Sequence, residues 1–194
     1  MTTTRAQSHR LANAISDVVG PLPVLAALCL AGVRDGRSVL TAIGWGLLAV
    51  VLLAVVPYLV TRRLRHPADG SRPGRGRKAG YMALVAALSL GGLVVLAILP
   101  SPSSVVDVAI ATVITLVAVA VATGVAGWSN HTAACAGGAA MCVVLDGPLW
   151  CVLIAAVAAV GWARLELGRH TPAQVTFGAV WGAAVATVAL AVLL

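Results

Sequence analysis

Apolar residues gather into seven runs, at about 11–33, 38–60, 80–99, 104–126, 132–145, 148–165 and 171–194, with polar residues confined to the stretches between. Runs of 18 or more apolar residues predict transmembrane helices, because a helix meets its own backbone hydrogen-bonding needs inside hydrocarbon. Gly20, Pro21 and Pro23 interrupt the first run, so part of it is expected at the interface. The fifth run has fourteen residues. It would rise only about 21 Å, short of a hydrocarbon core of roughly 30 Å. That run is therefore expected inside the bundle, shielded by neighbours and turning through Asp146-Gly147-Pro148. The pattern predicts an all-α integral membrane helical bundle of six to seven transmembrane segments. It divides into N-terminal membrane segments (1–60), a basic loop (61–79) and a helical core (80–194) within a single membrane domain. Small-residue patches, Ala136-Gly137-Gly138-Ala139 and the Gly178/Gly182 pair, suit close helix packing.

Composition supports the membrane assignment. The 194 residues are 60% hydrophobic and 10% charged, against about a quarter charged in soluble domains. The net charge of +7 is not a nucleic-acid signal, since its basic residues sit in short loops beside apolar runs. One lysine stands against twelve arginines, as codon bias in a GC-rich genome would give, and a multi-pass bacterial cell-membrane protein is expected. Trp45, Trp128, Trp150, Trp162 and Trp181 lie mostly near run ends, as interfacial anchors do. Cys29, Cys135, Cys142 and Cys151 lie inside apolar runs without metal spacing, so buried, unpaired thiols are expected. Arg5 and Arg10 before an apolar stretch mimic a signal sequence, but no convincing cleavage site follows and a retained first segment is expected.

Antiparallel spans place the N-terminus, loop 61–79, loop 127–131 and loop 165–170 on one side, and the turns at 34–37, 100–103 and 146–147 on the other. The first side carries eleven of the thirteen Lys and Arg residues, the other only Arg34 and Arg37. The positive-inside rule assigns the richer side to the cytoplasm. Loop 61–79, with seven basic residues and several glycines and prolines, is the expected mobile element and holds no regular helix through its middle.

Two polar islands on the basic side bear chemistry. In Gly168-Arg169-His170-Thr171-Pro172-Ala173-Gln174, Thr171 reads as an N-cap, Pro172 as the first helical residue and Gln174 as the closing residue of a capping box. His170 is left just outside the helix, where free N–H groups and the dipole favour an anion. In Trp128-Ser129-Asn130-His131, Ser129 or Asn130 would cap a helix beginning near His131. Arg164 ends an apolar run, and its planar fork suits bidentate phosphate binding. Ordinary accounts exist for each: headgroup-level histidines, plain caps, and an arginine that snorkels or pairs with Glu166. Their gathering on one face favours a shared anion site.

These residues resemble the type-2 phosphatidic acid phosphatase superfamily, whose catalytic core is shared with vanadium haloperoxidases. The family's third signature runs Ser-Arg, five residues, His, three residues, Asp. Ala163-Arg164, five residues, His170, three residues, Gln174 reproduces that spacing. Trp128-Ser129-Asn130-His131 resembles the second signature, Pro-Ser-Gly-His. For the first, a lysine-to-Arg-Pro stretch, Arg72, Arg75, Arg77 and Lys78 are available. Arg77 and Lys78, just ahead of an apolar span, are the expected phosphate contacts.

The resemblance covers roughly 70–190. It implies a membrane lipid phosphatase with no cofactor and no metal. His170 would be the nucleophile and His131 the acid for the leaving group. Gln174 would stand where an Asp orients the nucleophile, and Arg164, Ser129 and Asn130 would form the phosphate-binding shell. An amide supplies no negative charge at 174, so reduced activity is implied. The implied partners are the bilayer and a polyprenyl- or phosphatidate-like lipid phosphate, with no nucleic acid and with room for a homo-oligomer. The competing reading is a non-enzymatic lipid-phosphate-binding or structural protein with a decayed site. A transporter fits less well, because the ionisable groups cluster at one surface rather than mid-membrane.

Overall fold

A computed structural model describes residues 2–65 and 75–194, with side chains over 7–61 and 80–194. Among these residues the chain is all helical. Helices α1 (Thr2–Val18) and α2 (Leu22–Arg34) flank the Gly20-Pro21 turn. Helix α3 (Val39–Val50) passes through a π-helical turn (Val51–Val55) into α4 (Val56–Arg65). Then come α5 (Arg75–Ile98), α6 (Ser103–Ala126) and α7 (Asn130–Asp146). A 3-10 stretch (Pro148–Leu153) leads into α8 (Ile154–Glu166), and α9 (Pro172–Leu193) follows.

Six stretches of the described residues are long and apolar enough to cross a membrane: Gln7–Arg34, Val39–Thr61, Gly80–Ile98, Ser103–Ala126, Pro148–Glu166 and Pro172–Leu193. Their outward faces are apolar, with Leu40, Leu47, Val94, Val121 and Val188 at least half exposed, as lipid-facing surfaces are. The protein is an integral, multi-pass membrane bundle.

The remaining apolar run, the fifth, is the centre of that bundle. At 17 residues, α7 would rise about 26 Å. It buries Thr132, Ala133, Cys135, Ala136, Gly137, Gly138, Ala139, Met141, Cys142 and Leu145. Its two adjacent glycines admit a helix on each side. A methyl on Gly138 would run into the backbone of Pro23 and Val24 in α2, and one on Gly137 would press Gly182 O at 3.2 Å. Across the contact with α9, a methyl on Gly182 would strike Ala133 O, and one on Gly178 would lie 2.6 Å from Ser129 O. Lipid gives helices no hydrophobic reason to associate, so such close backbone approach is what holds them. Among the described residues the α7–α9 contact is the most extensive.

The break at Val51–Val55 has a local cause. Pro57 has no N–H to return to Leu53 O, four residues back. Ser89 of α5 supplies the donor instead, its Oγ lying 2.7 Å from Leu53 O. A methyl on Gly92, one turn further along α5, would strike Leu52 O at 2.7 Å.

Hydrogen bonds sort the connections into two ends. At one end Arg34 Nη1 donates to Leu145 O (3.0 Å) and Asp35 Oδ2 accepts the Ser104 N–H (3.1 Å), so the tip of α2 satisfies the end of α7 and the start of α6. The other end gathers α1, the end of α4, the start of α5 and the α6–α7 and α8–α9 turns, as parity requires. There α4 reaches Arg65 and α5 starts at Arg75, shortening the basic loop to 66–74. That stretch, and with it the expected mobility, lies outside the described residues. The first sixty residues form no separate layer, because α2 packs on α3, α6 and α7.

Of the thiols, Cys135 and Cys142 are buried and Cys29 is half-buried, but Cys151 is exposed in the 3-10 stretch. The 3-10 stretch packs Trp150 and Leu153 on the core and turns Cys151 outward, so the expectation of four buried thiols fails there.

Gly182→Val should lower the thermal unfolding midpoint in detergent, with a loss of about 3 kcal/mol from overpacking. Gly91→Ala, where nothing lies within 4 Å of the added methyl, should be neutral or slightly stabilising.

Candidate functional site

The loop bearing His170 is tied at both ends. Helix α8 closes in a Schellman motif: Gly168, at φ +60, donates to Leu165 O (2.9 Å) and Arg169 N–H donates to Arg164 O (3.2 Å). Helix α9 opens in the expected capping box, with Thr171 Oγ1 accepting Gln174 N–H (3.3 Å) and Gln174 Oε1 accepting Thr171 N–H (3.0 Å). His170 is the one residue between the two motifs. It is half-buried, immediately ahead of the N-cap.

The second turn is built the same way. Gly127, at φ +73, ends α6, and Ser129 is the N-cap of α7, accepting Thr132 N–H at 3.5 Å. Asn130 is then the first helical residue and His131 the second. Asn130 Oδ1 lies 2.9 Å from His131 Nδ1. A carbonyl oxygen only accepts, so Nδ1 carries the proton in this arrangement.

The two turns are joined directly. Ser129 N–H donates to Gln174 O (3.0 Å), and Thr132 Oγ1 donates to Val175 O (3.3 Å). Aromatic rings cover the junction: Trp128 stacks on Phe177 at 5.7 Å and meets Trp181 edge-on at 5.9 Å. Thus the loops carrying His131 and His170 are neighbours at one end of the bundle.

Arg164 behaves unlike a headgroup anchor. It is 6% exposed, and its Nη1 donates to Ser16 Oγ at 3.2 Å. A snorkelling arginine would show its head to water. Glu166 is turned to α1, its Oε1 accepting Ser8 Oγ–H at 2.8 Å, and Arg169 Nη2 donates to Asn13 Oδ1 at 3.1 Å.

The other expected site residues fare differently. Ser129 is fully buried, its hydroxyl engaged in capping, so it supports the turn from beneath and has no exposed surface for a ligand. Gln174 has its carbonyl oxygen committed to Thr171 rather than turned to His170. The side chains of Arg77 and Lys78, in the first turn of α5, lie outside the described residues. Two features escaped the sequence reading. One is the α1 face carrying Ser8 and Ser16, signalled by small residues at 8, 12 and 16 in an otherwise polar stretch. The other is Arg72-Pro73, with Arg65 ahead of it, which fits the Arg-Pro ending of the first signature better than Arg77 and Lys78; it too lies outside the described residues.

Two openings adjoin these turns. A cavity of about 100 Å3 is bounded by Tyr58, Thr61, Tyr81, Met82 and Asn130, among others. A wider groove of about 430 Å3 runs between α8 and α9, lined by Thr132, Gly161, Leu165, Val175 and Ala179, among others. Among the described residues, no three His, Cys, Asp or Glu side chains group as metal ligands would. Comparison with protein-family models, curated proteins and solved structures gives no match.

Gln174→Ala should cost about 1 kcal/mol of stability through the lost capping box, and Gln174→Glu should retain it. Gly168→Ala should cost a comparable amount, about 1 kcal/mol, because its φ is positive. Thermal melts of the three variants check both.

Proposed function

We propose that the protein is a membrane-bound lipid phosphatase resembling the type-2 phosphatidic acid phosphatases. It would hydrolyse a phosphate monoester or diphosphate of a polyprenyl- or phosphatidate-like lipid. The observation that carries the proposal is the burial of Arg164 at the end of α8, next to the turn that bears His170, which is itself bonded to the turn that bears His131. A guanidinium withdrawn from water at a bilayer edge is costly, and such residues are held for function. Helix N-termini add a positive dipole end, suited to the same anion. The apolar groove beside Thr132 and Leu165 favours a substrate with a hydrocarbon tail.

In this reading a nitrogen of His170 attacks phosphorus, and the bond from phosphorus to the leaving oxygen breaks. Protonated His131, held through Nδ1 by Asn130, gives its Nε2 proton to that oxygen. Water then attacks the phosphohistidine while neutral His131 takes the water's proton. Phosphate leaves, and both imidazoles return to their starting states. Arg164 binds phosphate oxygens in both steps. Arg72 of the basic loop and Arg77 and Lys78 at the start of α5 are candidate further contacts. The positive-inside count favours the cytoplasmic face of a bacterial cell membrane.

One observation favours a second reading. Gln174 is engaged in capping and is uncharged, so His170 gains no carboxylate support from it. A protein that binds lipid phosphates without turning them over would tolerate that.

Purified wild-type protein in lipid nanodiscs should release phosphate from at least one of a panel of lipid phosphates, and vanadate should inhibit it. His170→Ala should abolish turnover. Arg164→Lys should lower kcat/KM at least tenfold, because a point charge does not replace the fork. Wild-type activity in His170→Ala would remove the nucleophile assignment. Lipid-phosphate binding without turnover across the panel would select the second reading.

A further inference from the structure

We infer that α1 is part of the anion site and that Ser16 is a positioning residue for Arg164. The inference rests on the reading of Arg164 as a phosphate ligand. Ser16 is 1% exposed and Ala12 fully buried, and α1 packs on α8. With Ser8 they place small side chains at every fourth position, which is one face of a helix. That face lets α1 lie close enough for the Ser16 hydroxyl to meet the buried guanidinium at 3.2 Å.

The acceptor's chemistry matters. A hydroxyl takes a hydrogen bond from the guanidinium without itself placing a negative charge beside it. A carboxylate in the same place would compete with phosphate. The nearby carboxylate, Glu166, is bound to Ser8 instead, 2.8 Å away. Arginine has one of the largest stores of rotamer freedom, and fixing one arm of its fork removes much of it before a ligand arrives. Asn13, bonded to Arg169 at 3.1 Å, holds the α8–α9 turn from the same helix. Thus α1 reaches both the arginine and the loop that carries His170. The occupant this arrangement suits is a tetrahedral oxyanion: orthophosphate, vanadate or the headgroup of a lipid phosphate.

The test uses the full chain in nanodiscs, with orthovanadate and a lipid phosphate as probes, comparing wild type, Ser16→Ala and Ser16→Thr. Ser16→Ala should bind vanadate about tenfold more weakly, as loss of one charged hydrogen bond predicts, with an unchanged melting temperature. Ser16→Thr, which keeps the hydroxyl, should recover most of the affinity. Headgroup and free anion separate by comparing the two probes, and a purely inorganic site would weaken only for vanadate. Wild-type affinity in Ser16→Ala would overturn the inference and leave the phosphatase proposal standing. A loss in Ser16→Ala that Ser16→Thr does not restore, with a lowered melting temperature, would also overturn it, marking Ser16 as packing alone. No binding of either probe by the wild type would remove the Arg164 reading and this inference together.

Discussion

The close contact between α7 and α9 is the constraint on which the candidate site depends. In hydrocarbon these helices gain nothing from hiding apolar surface, so their association rests on van der Waals fit and on polar groups that find partners. Gly178 and Gly182 remove the side chains that would hold the backbones apart. Only then does Ser129 N–H reach Gln174 O, and Thr132 Oγ1 reach Val175 O. The first of those bonds serves a donor at a helix start, where backbone N–H groups lack intrahelical partners, and the second ties the α7 start to the first turn of α9. The same geometry that satisfies the backbone brings two histidine-bearing turns together. Widening the contact by a single methyl would separate them as surely as it would loosen the bundle.

The charge arrangement around that junction is deliberate in one respect. Polar partners on α1 divide the ionisable groups of the α8–α9 turn among themselves: Ser8 takes Glu166, Asn13 takes Arg169 and Ser16 takes Arg164. Each of these three α1 partners is neutral, so α1 locates the ionisable groups without itself adding a charge beside them.

Much of the architecture was legible because membrane physics writes it in long apolar runs. Six of the seven segments are the six membrane-length stretches, and the short fifth one is the buried central helix. Ala136-Gly137-Gly138-Ala139 and Gly178/Gly182 revealed the tight interface because few other uses exist for such patches in lipid. The capping box at Thr171 and Gln174 was readable because its four-residue pattern is local. What escaped depends on tertiary neighbours. In the first eighteen residues only the small residues at 8, 12 and 16 hint that a polar, arginine-bearing stretch is a helix with a buried face, and what covers that face comes from α8. The burial of Ser129 and Arg164 likewise follows from what packs over them. The π-helical turn was hidden too: Pro57 was visible, but the donor that makes it tolerable comes from Ser89, 36 residues on.

That donor bears on how the chain enters the membrane during synthesis. Until α5 arrives, the carbonyl of Leu53 faces lipid with no hydrogen to accept, at a penalty of several kcal/mol. The segment from Val39 to Thr61 is thus ill-suited to leaving the insertion machinery alone. Its stable route into the bilayer is as one half of a hairpin, released together with the helix that bears Ser89.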